Sequence, residues 1–331
     1  MEILVPMPKE GTLPNPGSWE HALHIIQAHR PAIETLARRA FANSEQEAWE
    51  AAQYMLYHWN LEELERKTPV YGWGRAVRQA LRNVILEVET KERRARVTLA
   101  CWNDFTPERA MEELRQAAMG HRIHAHPLLV EVSQHGLSKA SVKLFLDNYY
   151  VNNLVFHLHI AAQSLSTPFE LRAELYKNLH DELGAGDPEA AHPLLFLRNY
   201  RSLGDTQTIK PLLGSIYLLN TKIFYTFLCG NYKQGLGALG FLELAMPNQM
   251  QLLLNGLKKS GLPDRDLIFW DLHISLDKDH GEAWFDKMRK ILHTREDAYQ
   301  MLEGGVATLE ARSVFYDFVW KAIAESRKYA A

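Results

Sequence analysis

Apolar residues recur at three- and four-residue spacing over long stretches of this 331-residue chain, and this period is the strongest constraint on its fold. It runs through residues 45 to 67, 138 to 165 and 239 to 261. This is the period of an α-helix that buries one face. Breakers such as Pro127 and Pro168 separate such stretches, and no segment sustains the two-residue alternation of a strand. The sequence therefore predicts an all-α fold.

A domain boundary is predicted near residue 105. Charge density rises over KERRARVTLACWNDFTPERAMEEL, and Thr106 followed by Pro107 has the form of a helix start. We expect residues 1–105 to form an N-terminal helical extension. Residues 106–331 would form a multi-helix bundle that carries the chemistry. Helix bundles build metal sites from side chains that project inward from facing helices.

Charge and cysteine content exclude several classes of protein. The net charge of -3, from 37 basic and 40 acidic side chains, offers no attraction for nucleic acid or anionic lipid. Cys101 and Cys229 are far apart and form no metal-binding motif. The first residues, MEILVPMPKEG, lack the features of a leader peptide, and no segment reaches the roughly 18 apolar residues of a membrane span. We expect a cytoplasmic protein that binds neither nucleic acid nor a membrane.

The most informative local pattern is DLHISLDKDHGEAW, which contains His273, Asp277 and His280. These residues stand at positions i, i+4 and i+7, so a helix places them on one face. Imidazole and carboxylate groups suit Fe(II), Mn(II) or Zn(II). The alternative is a solvated polar face, but the neighbouring LIFWDLHISL is too apolar for one. Buried histidine and aspartate need partners, and a metal ion would supply them.

A second group of candidates lies in LYKNLHDELGAGDPEAAHPLLF. Asp187 and Pro188 look like an N-cap and the first residue of a helix, on which Glu189 and His192 would share a face. Glu182 would end the preceding helix, close to the same place if the turn is tight. Alone, this segment fits a surface carboxylate beside a helix-terminal histidine at least as well.

Glu243, in LGALGFLELAMP, has apolar residues on both sides. A carboxylate there is costly to bury unless it is paired or bound to a cation, although a hydrogen bond between helices would also serve. The three segments together offer three histidines and four carboxylates. This set exceeds the needs of one structural ion and suits two metals, with carboxylates bridging and imidazoles capping them.

The order of these segments resembles the haem-oxygenase-like dimetal oxidase superfamily. The pattern E-L-G-x-G-D-x-E-x-x-H spans residues 182–192, a lone glutamate follows at Glu243, and H-x-x-x-D-x-x-H spans residues 273–280. Residues 126–150 are similar to the opening helices of the wider family, which includes thiaminase-like and pyrroloquinoline-quinone-synthase-like proteins. The resemblance covers roughly residues 105–331, and it implies a haem-oxygenase-like multi-helix bundle.

The resemblance also implies a metal centre that performs the catalysis. Family members differ in which carboxylate before the first histidine is a ligand, so both carboxylates in that position remain candidates. The implied cofactors are two Fe(II) ions, with Mn as the less favoured metal and O₂ as co-substrate. The implied metal ligands are Glu182, Glu189, His192, Glu243, His273, Asp277 and His280.

By the same resemblance, the chain would oxidise a small amine or amino acid in natural product biosynthesis. The outcome would be N-oxygenation, desaturation or C–C cleavage, with an amino acid favoured as the substrate. An external electron donor and a homodimer are the expected partners. Two alternatives stay open: a cofactor-independent enzyme of the thiaminase-like or quinone-synthase-like kind on the same fold, and a non-enzymatic helical binding module.

Four further residues are weaker candidates. Arg312, in LEARSVFYDFVW, would be able to hold a substrate carboxylate in a bidentate pair, although a structural salt bridge is the simpler explanation. His157 and His159, in VFHLHIAAQ, are candidates for substrate binding or supplementary metal ligation. A hydrogen-bonded core histidine is the favoured interpretation of both, and of His180.

Overall fold

Helices make up the regular structure of this protein in a computed structural model that describes residues 16–65, 72–204 and 209–330. No strand occurs in these ranges, so the prediction of an all-α fold is confirmed. None of the helices in them is long and apolar enough to cross a membrane. The first eleven residues, and residues 66 and 67 of the predicted 45 to 67 helix, lie outside the described ranges.

The chain divides into two compact units, Met1–Arg96 and Val97–Ala331. The described part of the first unit has three main helices, α1 (Trp19–Ala37), α2 (Gln46–Glu65) and α3 (Trp73–Arg94). Helix α1 begins after Ser18, whose hydroxyl accepts a hydrogen bond from a backbone N–H of the first turn. Apolar side chains of α1 and α3 form the core of this unit, among them Ile25, Leu36, Val77 and Ile85.

The second unit contains the helices that carry the candidate site. The start predicted at Thr106 and Pro107 is where its first helix begins, and Thr106 Oγ1 caps it by accepting from Arg109 N at 3.2 Å. The boundary near residue 105 itself stays a prediction. The helices are α4 (Pro107–Met119), α5 (Pro127–His135), α6 (Lys139–Asn153), α7 (Phe156–Ser166), α8 (Phe169–Glu182), α9 (His192–Arg201), α10 (Leu213–Ile223), α11 (Tyr232–Lys259), α12 (Ile268–Ile291) and α13 (Arg295–Ala330).

Helix α11 is the centre of the second unit. It packs against α12 and α13 along most of its length and also contacts α4, α5 and α7. Its buried residues include Leu242, Met246 and Leu253, which belong to the same apolar core as Trp270 and Phe315. Close packing of this kind gives a rigid frame from which water is excluded.

The stretch 138 to 165, predicted as one helical run, is broken in the structure. Helix α6 ends at Asn153 and α7 begins at Phe156, with no proline or glycine between them. Near the break, the backbone carbonyl of Asn152 accepts a hydrogen bond from Lys222 Nζ at 3.3 Å. A side chain from α10 thus binds one of the last carbonyls of α6, which helps to offset the lost helical bonding.

Candidate metal centre

A tight turn between α8 and α9 brings Glu182 and His192 together. Glu182 is the last residue of α8, and His192 is the first residue of α9. Gly184 in this turn has a φ of +92°, and a Cβ atom there would lie 2.0 Å from the carbonyl oxygen of Asp187. Only glycine fits such a position. As a result, Glu182 Oε1 lies 3.1 Å from His192 Nδ1.

His273, from α12, completes the first group of potential ligands, which we call the Glu182 group. Its Nε2 atom lies 3.9 Å from Glu182 Oε1, and its ring centroid lies 4.5 Å from that of His192. One donor atom from each of the three side chains lies within 4.8 Å of the other two, and all three residues are buried. This spacing is compatible with one metal ion between them.

Glu243, Asp277 and His280 form a second buried group of the same kind, which we call the Glu243 group. Glu243 comes from α11, and the other two residues come from α12. His280 Nδ1 lies 3.8 Å from Glu243 Oε2. Gly281 permits the close approach of the two helices, because a Cβ atom there would lie 2.7 Å from Leu244 Cα.

Hydrogen bonds outside the two groups orient two of the imidazoles. His273 Nδ1 lies 2.6 Å from the carbonyl oxygen of Phe269 and donates a hydrogen bond to it. The Nε2 atom therefore carries the lone pair, which is directed toward the Glu182 group. His280 Nε2 lies 3.0 Å from Asp181 Oδ2, so it donates there and Nδ1 keeps its lone pair for the Glu243 group. Metal-ligating histidines almost always have such a partner on the other nitrogen.

Three atoms of the two groups are buried without a hydrogen-bond partner among the described residues: His192 Nδ1, Glu243 Oε2 and His280 Nδ1. The 3.1 Å approach of His192 to Glu182 lacks hydrogen-bond geometry. Leaving buried polar atoms unsatisfied is costly, and native proteins rarely do so. Buried imidazole and carboxylate atoms that converge without hydrogen-bond partners suit the binding of a cation. The residues present therefore fit metal ions.

Burial shifts the pKa values of these groups strongly. It raises the pKa of Glu243 to about 8, and the nearby Glu182 carboxylate adds to the shift. Burial and the negative charge of Glu243 raise the pKa of Asp277 well above its usual range. Burial alone would raise the pKa of Glu182 too, but the imidazoles of His192, His273 and His280 together outweigh it and the pKa is lowered. Burial lowers the pKa of His273 to about 4. Without a cation, protons therefore neutralise the Glu243 group, and metal ions would replace them.

Asp181 is a positioning residue that the sequence analysis missed, and its replacement gives a testable prediction. Asp181→Ala is expected to weaken divalent metal binding at the Glu243 group about 10- to 100-fold, because His280 loses the acceptor that fixes its ring. Asp181→Asn should recover part of this loss, since its amide oxygen still accepts. Anaerobic titration with Mn(II) measures the affinity, with Asp279→Ala, an exposed change on α12, as the control. Equal affinity in Asp181→Ala and the unaltered protein would contradict this role.

The structure does not bring Glu189 to either group. Its side chain is 78% exposed and forms an ion pair with Arg198 at 2.7 Å. Asp187 is an N-cap and Pro188 the first helical residue, as predicted, but Pro188–Ala190 is only a single 3-10 turn. The α-helix begins at His192, so the prediction that Glu189 and His192 share a face of one α-helix is wrong. Asp187 caps that turn by accepting from Glu189 N, and the chain leaves the helical conformation at Ala191, whose ψ is 130°.

The two histidines of α7 also stand outside both groups. His159 is buried, and its Nδ1 atom lies 2.9 Å from Thr226 Oγ1, which agrees with a hydrogen-bonded core histidine. His157 is half-buried, and its Nδ1 atom has no hydrogen-bond partner among the described residues. His180 is exposed at the end of α8. None of them belongs to either group of donor atoms.

A cavity of about 40 Å³ adjoins both groups. His273 from the Glu182 group and the two carboxylates of the Glu243 group line it, together with apolar side chains such as Phe156 and Met246. Arg312 and Lys222 add two basic side chains to its wall. Lys222 was not among the residues predicted from the sequence, although a lone lysine within LLNTKIFYTF is a signal of a buried cation.

Comparison with solved structures identifies the fold. A domain of unknown function from Shewanella denitrificans, described as having a heme oxygenase-like fold, is 18% identical with a TM-score of 0.55; the match covers 67% of this chain and 95% of that one. A CADD-like protein of unknown function from Nostoc punctiforme is 16% identical with a TM-score of 0.53, and the match covers 66% of this chain and 98% of that one. The predicted haem-oxygenase-like fold is thereby confirmed.

Sequence comparison addresses the family. No curated protein matches the chain. The profile of a family described as iron-containing redox enzymes matches residues 143–313, which is just over half of the chain. This range contains all six residues of the two buried groups. The chain therefore belongs to this family of iron-containing redox enzymes.

Proposed function

We propose that the chain is a non-haem diiron oxidase or oxygenase that uses O₂ to oxidise a small amine or amino acid. The observation that carries this proposal is the pair of buried groups, each of which brings three donor atoms together within 4.8 Å. One group alone would suit a mononuclear site. Two groups that share helix α12 and border one cavity favour two ions.

The two groups offer different ligand sets. The Glu182 group would hold one iron with two imidazoles and one carboxylate, and the Glu243 group would hold the other with one imidazole and two carboxylates. Fe(II) accepts both kinds of ligand, as does Mn, which we regard as the less favoured metal. Bound iron would supply the electrons that O₂ activation requires. Each group would supply three protein ligands, and the chemistry of such an ion would be the activation of O₂.

The chain itself would orient the ligands and exclude water. Phe269 and Asp181 hold the imidazoles of His273 and His280 by hydrogen bonds to the nitrogens that face away from the groups. The apolar wall of the cavity limits the access of water, which protects a reactive oxidant. On metal binding, the protons held by the Glu243 group leave, since carboxylates ligate in their ionised form.

The details of the reaction follow from the resemblance and belong to the proposal. The outcomes considered are N-oxygenation, desaturation and C–C cleavage, with an external electron donor that returns the iron to the ferrous state. We place the reaction in natural product biosynthesis in the cytoplasm, with the protein acting as a homodimer. A cofactor-independent enzyme on this fold would have carboxylates poorly placed to chelate, whereas here they lie within 4.8 Å of the imidazoles.

The reaction with O₂ tests the proposed function. The protein is charged with Fe(II) under anaerobic conditions and mixed rapidly with O₂ while its absorption spectrum is followed. We expect a transient or lasting change in the near-ultraviolet or visible region. The double variant His273→Ala with His280→Ala should show none, whereas His135→Ala, an exposed histidine on α5, should behave like the unaltered protein. An iron-charged protein whose spectrum does not respond to O₂ would contradict the proposal.

A further inference from the structure

Arg312 is a buried cation with only neutral partners among the described residues. It lies on α13 and is 5% exposed. Its Nε atom donates to Gln249 Oε1 at 2.8 Å and to Tyr316 OH at 3.2 Å, and its Nη2 atom donates to Tyr149 OH at 2.9 Å. No carboxylate in the described ranges forms an ion pair with it, so the salt bridge considered in the sequence analysis is not found. Buried guanidinium groups are costly without a counter-charge.

The guanidinium also has a free edge. Within the described part of the chain, no group accepts a hydrogen bond from its Nη1 atom. Arg312 contributes to the wall of the cavity that adjoins the metal groups. The neutral partners thus hold one edge of the guanidinium group in place. The remaining N–H groups stay available to a ligand.

Lys222 gives the same cavity a second basic side chain. It is buried on α10, where its Nζ atom donates to the carbonyl oxygen of Asn152 at 3.3 Å and lies 5.5 Å from the ring centroid of Phe156. It too has no carboxylate in ion-pair contact among the residues that the structure describes. Burial and the positive charge of Arg312 lower the pKa of Lys222 to about 7, so Arg312 is the side chain of the cavity that stays fully charged at neutral pH.

The charge balance of the metal-bound cavity also favours an anionic ligand. Three carboxylates serve the two groups. Two ferrous ions would bring four positive charges, so the metal groups alone would carry a net positive charge, to which Arg312 adds one more. An amine without a carboxylate would add a further positive charge if it entered as an ammonium ion. An anionic substrate would instead neutralise part of the excess.

We infer that Arg312 binds the carboxylate of the substrate and thereby selects carboxylic acids, amino acids included, over plain amines. The carboxylate would accept hydrogen bonds from the free edge of the guanidinium. The apolar body of the substrate would fill the cavity beside Phe156 and Met246, with its reacting end toward Glu243 and Asp277. This inference rests on the proposed function for the position of the reacting end, but the binding of the carboxylate can be tested without oxidation.

Binding is measured by calorimetry on the Mn(II)-charged protein under anaerobic conditions. The probes are L-leucine, 4-methylpentanoate and 3-methylbutylamine, which share a branched apolar chain and differ in their polar groups. We expect saturable binding of the two carboxylates and none of the amine. Arg312→Gln should weaken carboxylate binding about 10- to 100-fold, as expected for the loss of charged hydrogen bonds. Arg115→Gln, which removes a half-buried arginine on α4 that is paired with Glu282 and lies outside the cavity lining, is the matched control and should have no effect.

Arg312→Lys provides a second variant in case the Arg312→Gln protein does not fold. It keeps the buried charge but loses the planar fork, so it should also bind the carboxylates more weakly than the unaltered protein. Unchanged affinity in Arg312→Lys and Arg312→Gln, amine binding as tight as carboxylate binding, or no saturation by ~10 mM carboxylate would each overturn the inference. Arg312-dependent binding without any reaction of the iron-charged protein with O₂ would overturn the proposed function and leave this inference standing.

Discussion

His280→Ala is expected to reduce the iron bound per chain from two to about one. The change leaves the Glu243 group with two carboxylates and no imidazole, while the Glu182 group keeps all three of its ligands. His273→Ala should have the reciprocal effect, since it removes a ligand only from the Glu182 group. The double variant should bind essentially none. Two protein ligands are too few to retain an ion against chelators in the buffer.

Elemental analysis after anaerobic Fe(II) addition and desalting measures these ratios. Circular dichroism in iron-free buffer shows whether each variant is folded. The exposed His135 again supplies the control, and His135→Ala should retain two irons. A folded double variant that keeps two irons would place the metal elsewhere. A double variant that unfolds in iron-free buffer would show that the histidines serve the structure rather than the metal.

Gly281→Val is expected to lower the free energy of unfolding by roughly 2–3 kcal/mol, the usual range for overpacking a tight contact. A Cβ atom at this position would lie 2.7 Å from Leu244 Cα and 2.8 Å from Leu244 N, both of which belong to the backbone of α11. The position of a Cβ atom is fixed by the backbone of α12, so rotation of the side chain cannot relieve the clash with α11. Helix α12 must therefore move. Because the next residue toward the N-terminus is His280, that movement should also separate His280 from Glu243.

Thermal and denaturant unfolding measure the stability of this variant, and iron analysis measures its effect on the site. We expect the Glu243 group to lose its iron and the Glu182 group to keep its own. Ser275→Val places the same side chain on the exposed face of α12 and should change neither property by much. A Gly281→Val protein with unaltered stability and two irons would show that the helices do not need this close approach.

Much of the site could be predicted because it is encoded locally. His273, Asp277 and His280 share a face by helical spacing alone, and the structure buries all three. Glu243 stands in a run of apolar residues, which already indicated a buried carboxylate. Such residues can be recognised in the sequence because a buried polar side chain on a helix is flanked by apolar residues.

What could not be predicted depends on the path of turns and on packing between distant segments. The choice between Glu182 and Glu189 was left open by the sequence, and the left-handed turn at Gly184 leaves only Glu182 beside His192. His273 belongs to the Glu182 group, whereas Asp277 and His280 belong to the Glu243 group. This division depends on which helix packs against each part of α12. Asp181 was missed for the same reason, since its partner His280 is 99 residues away.

The most direct test of a two-ion centre is anomalous diffraction at the iron edge, from crystals grown anaerobically with Fe(II). The account predicts two peaks in the anomalous difference map, one among Glu182, His192 and His273 and the other among Glu243, Asp277 and His280. A single peak, or iron bound away from these six side chains, would contradict it.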